Sequence, residues 1–128
     1  MNQLTFIPKT PADMVNEYAE VSQQVGSAGL YRDLIREEYA EVAEEMYAME
    51  RDDGAEDPEY ELKEMADLLY VLYGYAKVQG YNLDKAVKRV HENNMGRMYQ
   101  PDGTIKRRED GKVIKNPDYP QVNLEDLV

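Results

Sequence analysis

Apolar residues recur at helical spacing through most of the chain up to Met98, separated by short polar breaks. An α-helix turns about 100° per residue, so positions i, i+3, i+4 and i+7 share a face. Leu30, Tyr31, Val42, Ala48 and Met49 all fall within roughly 80° of Leu34 on that wheel, which predicts a long helix from Leu30 to about Met49. Before it, Thr10-Pro11 reads as an N-cap followed by proline in the first helical position, with Asp13 in the first turn. That helix is expected to run through Met14, Tyr18, Val21 and Val25 and to stop near Gly26. Asp52-Asp53-Gly54 and Asp57-Pro58 make residues 51–58 a polar loop. A third helix follows from about Glu59 to Val78, its apolar face formed by Leu68, Val71, Leu72, Tyr75 and Val78 and its stop by Gly80. Asn82 caps a fourth, in which Leu83, Ala86, Val87 and Val90 recur and Asn94 takes an apolar-face slot.

The two ends depart from this periodicity. Residues 1–10 read as an extended arm. Past Met98, Pro101-Asp102-Gly103 is a turn, and Asp110-Gly111 is the dipeptide favoured in two-residue hairpins, here between Thr104–Glu109 and Lys112–Lys115. Residues 116–128 carry two prolines and no periodicity, and are expected to lie as a strap over the helices or over a partner chain. The pattern predicts one all-α domain over residues 1–128, with its helices in 11–98 and a basic hairpin and tail in 99–128.

Acidic residues interrupt the apolar stripes. Glu38, Glu41 and Glu45 fall within the apolar sector of the second helix, whereas Arg36, Glu37 and Glu44 point away from it. In the third helix Glu64 sits at the centre of the apolar face, with Asp67 one turn on and Glu61 one turn back. Ionised carboxylates are hardly ever buried without partners, because desolvation costs several kcal/mol per ion. A metal ion held by Glu38, Glu41, Glu64 and Asp67 would compensate them, and all-oxygen ligation selects a hard cation, Mg²⁺ or Mn²⁺. Glu45 and Glu61 are open as further ligands or as acceptors behind the ligands. His91, the single histidine, falls on the flank of the fourth helix and reads as a packing residue.

Composition narrows the field. With 26 acids against 15 bases the net charge is −11, which argues against a broad nucleic-acid surface. The absence of cysteine removes thiolate chemistry and disulfides. No apolar run approaches the roughly 20 residues of a membrane span, and no signal peptide is visible, so no membrane partner is expected and the cytoplasm is the expected location. Charge is also segregated: residues 37–67 balance at −12, residues 85–115 at +5. Clustered carboxylates together with a basic segment suit a metal-bridged polyphosphate.

Three motifs carry a resemblance: Glu37-Glu38-x-x-Glu41, then Glu64-x-x-Asp67 followed by Leu68-Leu69-Tyr70-Val71, then Val90-His91-Glu92-Asn93-Asn94-Met95. In this order and at these spacings, over about residues 30–119, the chain resembles the all-α nucleoside triphosphate pyrophosphohydrolases: MazG-type enzymes, dimeric dUTPases and phosphoribosyl-ATP pyrophosphohydrolases. The terminal Pro120-Gln121-Val122-Asn123-Leu124 departs from the Pro-Pro-Asp-Leu-like ending common among them. The resemblance implies a MazG-type, four-helix bundle-like fold that forms a homodimer or homotetramer. It also implies Mg²⁺-dependent cleavage of a nucleoside triphosphate, a dNTP by expectation, to monophosphate and pyrophosphate. Glu38, Glu41, Glu64 and Asp67 would then be metal ligands, and Glu37 would orient or deprotonate the attacking water or bind a further ion. Asn94 and Arg97, with Lys106, Lys112 or Lys115, would contact the polyphosphate or sugar. Two other readings fit the same text: a phosphoribosyl-ATP enzyme, and a non-enzymatic acidic helical protein that mimics nucleic-acid charge.

Overall fold

Thr10 opens the first helix as its sequence requires: its side chain accepts the Asp13 N–H, and Asp13 in return accepts the Thr10 N–H. The computed structural model describes residues 10–24 and 26–128, so the proposed amino-terminal arm, apart from Thr10, lies outside the described residues. The described chain is all-α apart from one minimal strand pair, and it divides into two units, one ending at Tyr81 and the other running from Asn82 to Val128.

The first unit contains α1 (Pro11–Ser22), α2 (Ala28–Arg51) and α3 (Pro58–Gln79), with α3 packed against both α1 and α2. Helix α1 is about a turn shorter than its periodicity predicts. Gln23 turns left-handed at φ 55°, and the Ser22 hydroxyl donates to the Tyr18 carbonyl, so the helix ends at Ser22; Val25, through which it was expected to run, lies outside the described residues. Ser27 caps α2, whose first residue Ala28 lies two residues ahead of the predicted start at Leu30, and Asp52 at φ 50° closes it. Asp57 caps α3 through the Tyr60 N–H, Pro58 fills the first position, and Gly80 ends it.

Tyr31 is the packing key between α2 and α3. A Cβ placed on Gly74 would come within 2.2 Å of the Tyr31 ring, so only glycine lets α3 lie this close to α2 there. Tyr31, Val42 and Ala48 are buried as the α2 stripe predicts, whereas Leu30 is exposed. The α3 expectation needs correction. The buried residues are Glu64, Tyr73, Gly74 and Ala76, while Leu68, Val71 and Tyr75 are half-buried and Leu72 and Val78 exposed. Contacts with two helices, and close approach over small residues, moved the buried face away from the stripe of large side chains.

The second unit holds α4 (Leu83–Arg97), capped by Asn82 through the Lys85 N–H, and a hairpin of β1 (Lys106–Arg107) with β2 (Val113–Ile114). The strands are antiparallel, Lys106 opposite Ile114 and Arg107 opposite Val113. The connection is not the predicted two-residue turn. The Gly111 N–H bonds to the Arg108 carbonyl and the Arg108 N–H to the Lys112 carbonyl, so Glu109-Asp110-Gly111 form a three-residue loop with Gly111 left-handed at φ 89°. The terminal segment docks on α4. Leu127 is buried, its carbonyl accepts the Asn82 N–H, and Arg89 makes a two-pronged ion pair with Asp126. His91 is exposed on α4 rather than packed.

Candidate active site

Where α2 and α3 face each other they bring three carboxylates together. Glu38 and Glu41, one turn apart on α2, and Glu64 on α3 each offer an oxygen, and these lie within 4.8 Å of one another. Glu64 is only 1% exposed, the largest fully buried side chain among the described residues. Glu38 is half-buried and Glu41 is exposed as a residue, although its carboxylate turns to the cluster. With all three ionised, Glu38 Oε2 and Glu64 Oε2 are buried without a hydrogen-bond donor.

The electrostatics follow from this crowding. Burial, a shared hydrogen bond with Glu64 and the charges of Glu41, Asp67 and Glu64 push the Glu38 carboxyl up to about 7. Its bond to Glu64, then burial, raises Glu41 as well. Glu64, which accepts from both, is held below the usual carboxylate range. A proton shared over the trio is therefore the protein's own remedy for repulsion in the absence of a cation.

Asp67 stands outside the trio. The Lys63 ammonium sits 2.6 Å from Asp67 Oδ2 and 3.3 Å from Glu64 Oε1, and these partners hold it above its usual range. Tyr60, one turn before Glu64, is also part of the site: the charge of Glu64, with burial and Glu41, raises its phenol. Neither Lys63 nor Tyr60 stands out in the sequence. The signal for Lys63 was its i, i+4 spacing to Asp67; for Tyr60 it was the i, i+4 spacing to Glu64. Glu37 is exposed beside Glu38, Glu45 has a buried oxygen without a partner, and Glu61 is half-buried.

One to two turns along the same helices, Tyr31 and Leu34 of α2 and Tyr70 and Val71 of α3, with Tyr18 of α1, line a cavity of about 210 Å³. In the second unit, Asn94, Lys106, Lys112 and Lys115 are exposed. Arg97 is half-buried, its Nε buried without an acceptor and its carbonyl taken by the Asn116 N–H at 2.7 Å.

The donor set fits a hard divalent ion. Three convergent carboxylates supply only oxygen, two buried oxygens lack partners, and the local charge calls for a cation. No described helix is long and apolar enough to cross a membrane. No curated protein matches the chain with significant similarity. The profile of the phosphoribosyl-ATP pyrophosphohydrolase family matches residues 3–94, which include all three carboxylates. The chain accordingly belongs to that family, within the MazG-like all-α pyrophosphohydrolases, and is a hydrolase that acts on the phosphoric anhydride of a nucleotide-like substrate.

Proposed function

We propose that this enzyme hydrolyses a nucleoside triphosphate, with a deoxynucleoside triphosphate as the first candidate, between the α and β phosphates. The observation that carries the reading is the convergence of Glu38, Glu41 and Glu64 beside a tyrosine-lined cavity. Those three carboxylates would hold the divalent ion, Mg²⁺ or Mn²⁺. When bound, the ion neutralises phosphate charge and acidifies water. The remaining work falls to the chain. Glu37, exposed next to Glu38, accepts a proton from the attacking water. The water oxygen bonds to phosphorus, the bridging P–O bond breaks, and pyrophosphate leaves. The base lies in the cavity between Tyr18, Tyr31 and Tyr70, whose wall residue Leu34 is one turn from Glu38. Asn94, Arg97, Lys106, Lys112 and Lys115 are proposed contacts to the polyphosphate or sugar, supported by their charge and hydrogen-bonding capacity and by the unpartnered Arg97 Nε.

A homodimer or homotetramer is part of this reading. Leu62, Met65 and Leu69 recur at i, i+3 and i+7 on α3 and are 66%, 47% and 47% exposed, an apolar strip on a different face from Glu64. A second copy of the chain would cover it, and Leu69→Lys is expected to lower the mass measured by light scattering.

A second reading is favoured by the description of the matching family: the substrate is phosphoribosyl-ATP. One experiment separates the two. Pyrophosphate release is measured with Mg²⁺ for a panel of dNTPs, NTPs and phosphoribosyl-ATP, using wild type and Glu38→Gln. The wild type is expected to turn over a dNTP and the variant to lose that activity. Turnover of phosphoribosyl-ATP alone selects the second reading, and turnover of none defeats both.

A further inference from the structure

The side chains around the tyrosine-lined cavity are aliphatic or aromatic, with one exception, Gln24. Its amide donates through Nε2 to the Tyr31 hydroxyl at 3.4 Å. No other hydrogen bond to that amide or to that hydroxyl is made among the described residues. The two groups differ in freedom. Tyr31 is only 9% exposed, and its ring lies between Gly26 and Gly74, neither of which has room for a Cβ. Gln24 stands on the link between α1 and α2 and is exposed. Their bond is long, so either partner can turn to a ligand at little cost.

We propose that Gln24 and Tyr31 read the edge of the nucleobase and so form the specificity-determining pair of the reaction. This inference rests on the nucleoside triphosphate reading above and adds the groups that recognise the base. A base offers two kinds of surface. Its faces stack on aromatic rings, and Tyr18, Tyr31 and Tyr70 supply those. Its edge carries donors and acceptors, which are costly to bury unpaired. A carboxamide suits that edge, because it sets an acceptor and a donor side by side, as a nucleobase does. The Tyr31 hydroxyl, accepting from Gln24, keeps its own proton for the ligand. Hydrocarbon walls alone discriminate weakly between bases, whereas polar groups left unpaired by the wrong edge discriminate strongly. Position agrees as well. Tyr31 is two turns before Glu38 on α2, about 10 Å along the axis, which leaves room for the sugar and α phosphate between base and carboxylates.

Two variants spare the packing: Gln24 is exposed, and Tyr31→Phe keeps the ring between its two glycines. The four deoxynucleosides, free of phosphate and metal, are titrated into the full chain and followed by NMR. The wild type is expected to bind at least one of them saturably and to prefer it over the others. Gln24→Leu should lose at least tenfold in that affinity and Tyr31→Phe several-fold, both should level the preference, and Mn²⁺ affinity should not change. Unaltered nucleoside binding in either variant, an equal loss for all four bases, Mn²⁺ affinity falling in step, or no nucleoside bound by the wild type would overturn the pair. Hydrolysis of a triphosphate by the wild type would leave the metal-dependent reading standing in each of those cases. Nucleoside binding that depends on Gln24, with no triphosphate turned over, would overturn that reading and keep the pair.

Discussion

Replacing Gly74 with alanine tests whether the contact between α2 and α3 is what sets the carboxylate spacing. The added Cβ would stand 2.2 Å from Tyr31 Cε1, 2.7 Å from Cζ and 2.9 Å from Cδ1. Ordinary carbon contacts lie at about 3.5–4.0 Å, so the two helices must separate locally by roughly 1 Å or the ring must leave. The ring has little room on its other edge. A Cβ on Gly26 would also meet Tyr31, at 2.2 Å from Cε2, so the phenol is held between two glycine backbones. Overpacking of this kind costs about 1–3 kcal/mol, against which alanine recovers up to about 1 kcal/mol of helix propensity. The net loss of about 1–2 kcal/mol corresponds to a Tm lower by about 4–8 °C in a chain of this size, read by circular dichroism. Because α2 and α3 carry Glu38, Glu41 and Glu64, the same displacement should weaken divalent binding and reduce turnover by up to about 100-fold. Gly29→Ala is the control. It lies in α2 with nothing but the Ser27 hydroxyl within 4 Å, and should raise stability by about 0.5–1 kcal/mol. If Gly74→Ala proves as stable as the wild type, Tyr31 is not the wedge described, and the spacing of the site has another cause.

Glu64→Gln removes the ionised acceptor on which Glu38, Glu41 and Lys63 converge, so the metal-free protein should melt at a lower temperature than wild type and lose both the Mg²⁺-induced rise in Tm and activity; an unchanged metal response contradicts this. The pH dependence has a defined sign. Glu38 titrates near 7 when folded and near 4.5 otherwise, so in the metal-free protein its contribution to stability is complete below about 4.5 and is lost as pH rises through about 7. Divalent binding needs the ionised form and should run the other way, with affinity falling up to tenfold per unit as pH drops below about 7; a flat calorimetric profile from pH 5.5 to 8.5 would refute the coupling.

Much of the fold was legible because caps and stops are local. Thr10, Asn82 and Gly80 each act on the backbone within a few residues, and each is found where the sequence puts it, whereas Asp57, read as part of a polar loop, proves to be the cap of α3. The end of α1 was less legible because Gln23 carries no left-handed signature comparable to glycine. The buried face of α3 was misread for a tertiary reason: Gly74 and Ala76 let helices approach closely, and a wheel weighted towards large residues passes over them. In the site, Glu38, Glu41 and Glu64 were visible as charges on apolar faces. A wheel says which face a carboxylate such as Asp67 occupies but not which neighbouring side chains pair with it. Lys63 reached it through i, i+4 spacing. The residues of the second unit were proposed from charge and from family resemblance, and no periodicity could place their side chains.

The central claim is that Glu38, Glu41 and Glu64 together hold a divalent cation. Its most direct measurement is calorimetric titration of Mg²⁺ into wild type and Glu41→Gln at pH 8, above the Glu38 transition. Glu41 is exposed, so its replacement leaves the packing of α2 and α3 undisturbed. Saturable binding in the wild type, weakened at least tenfold in the variant, is the result predicted; equal binding in the two proteins, or none in either, would contradict it.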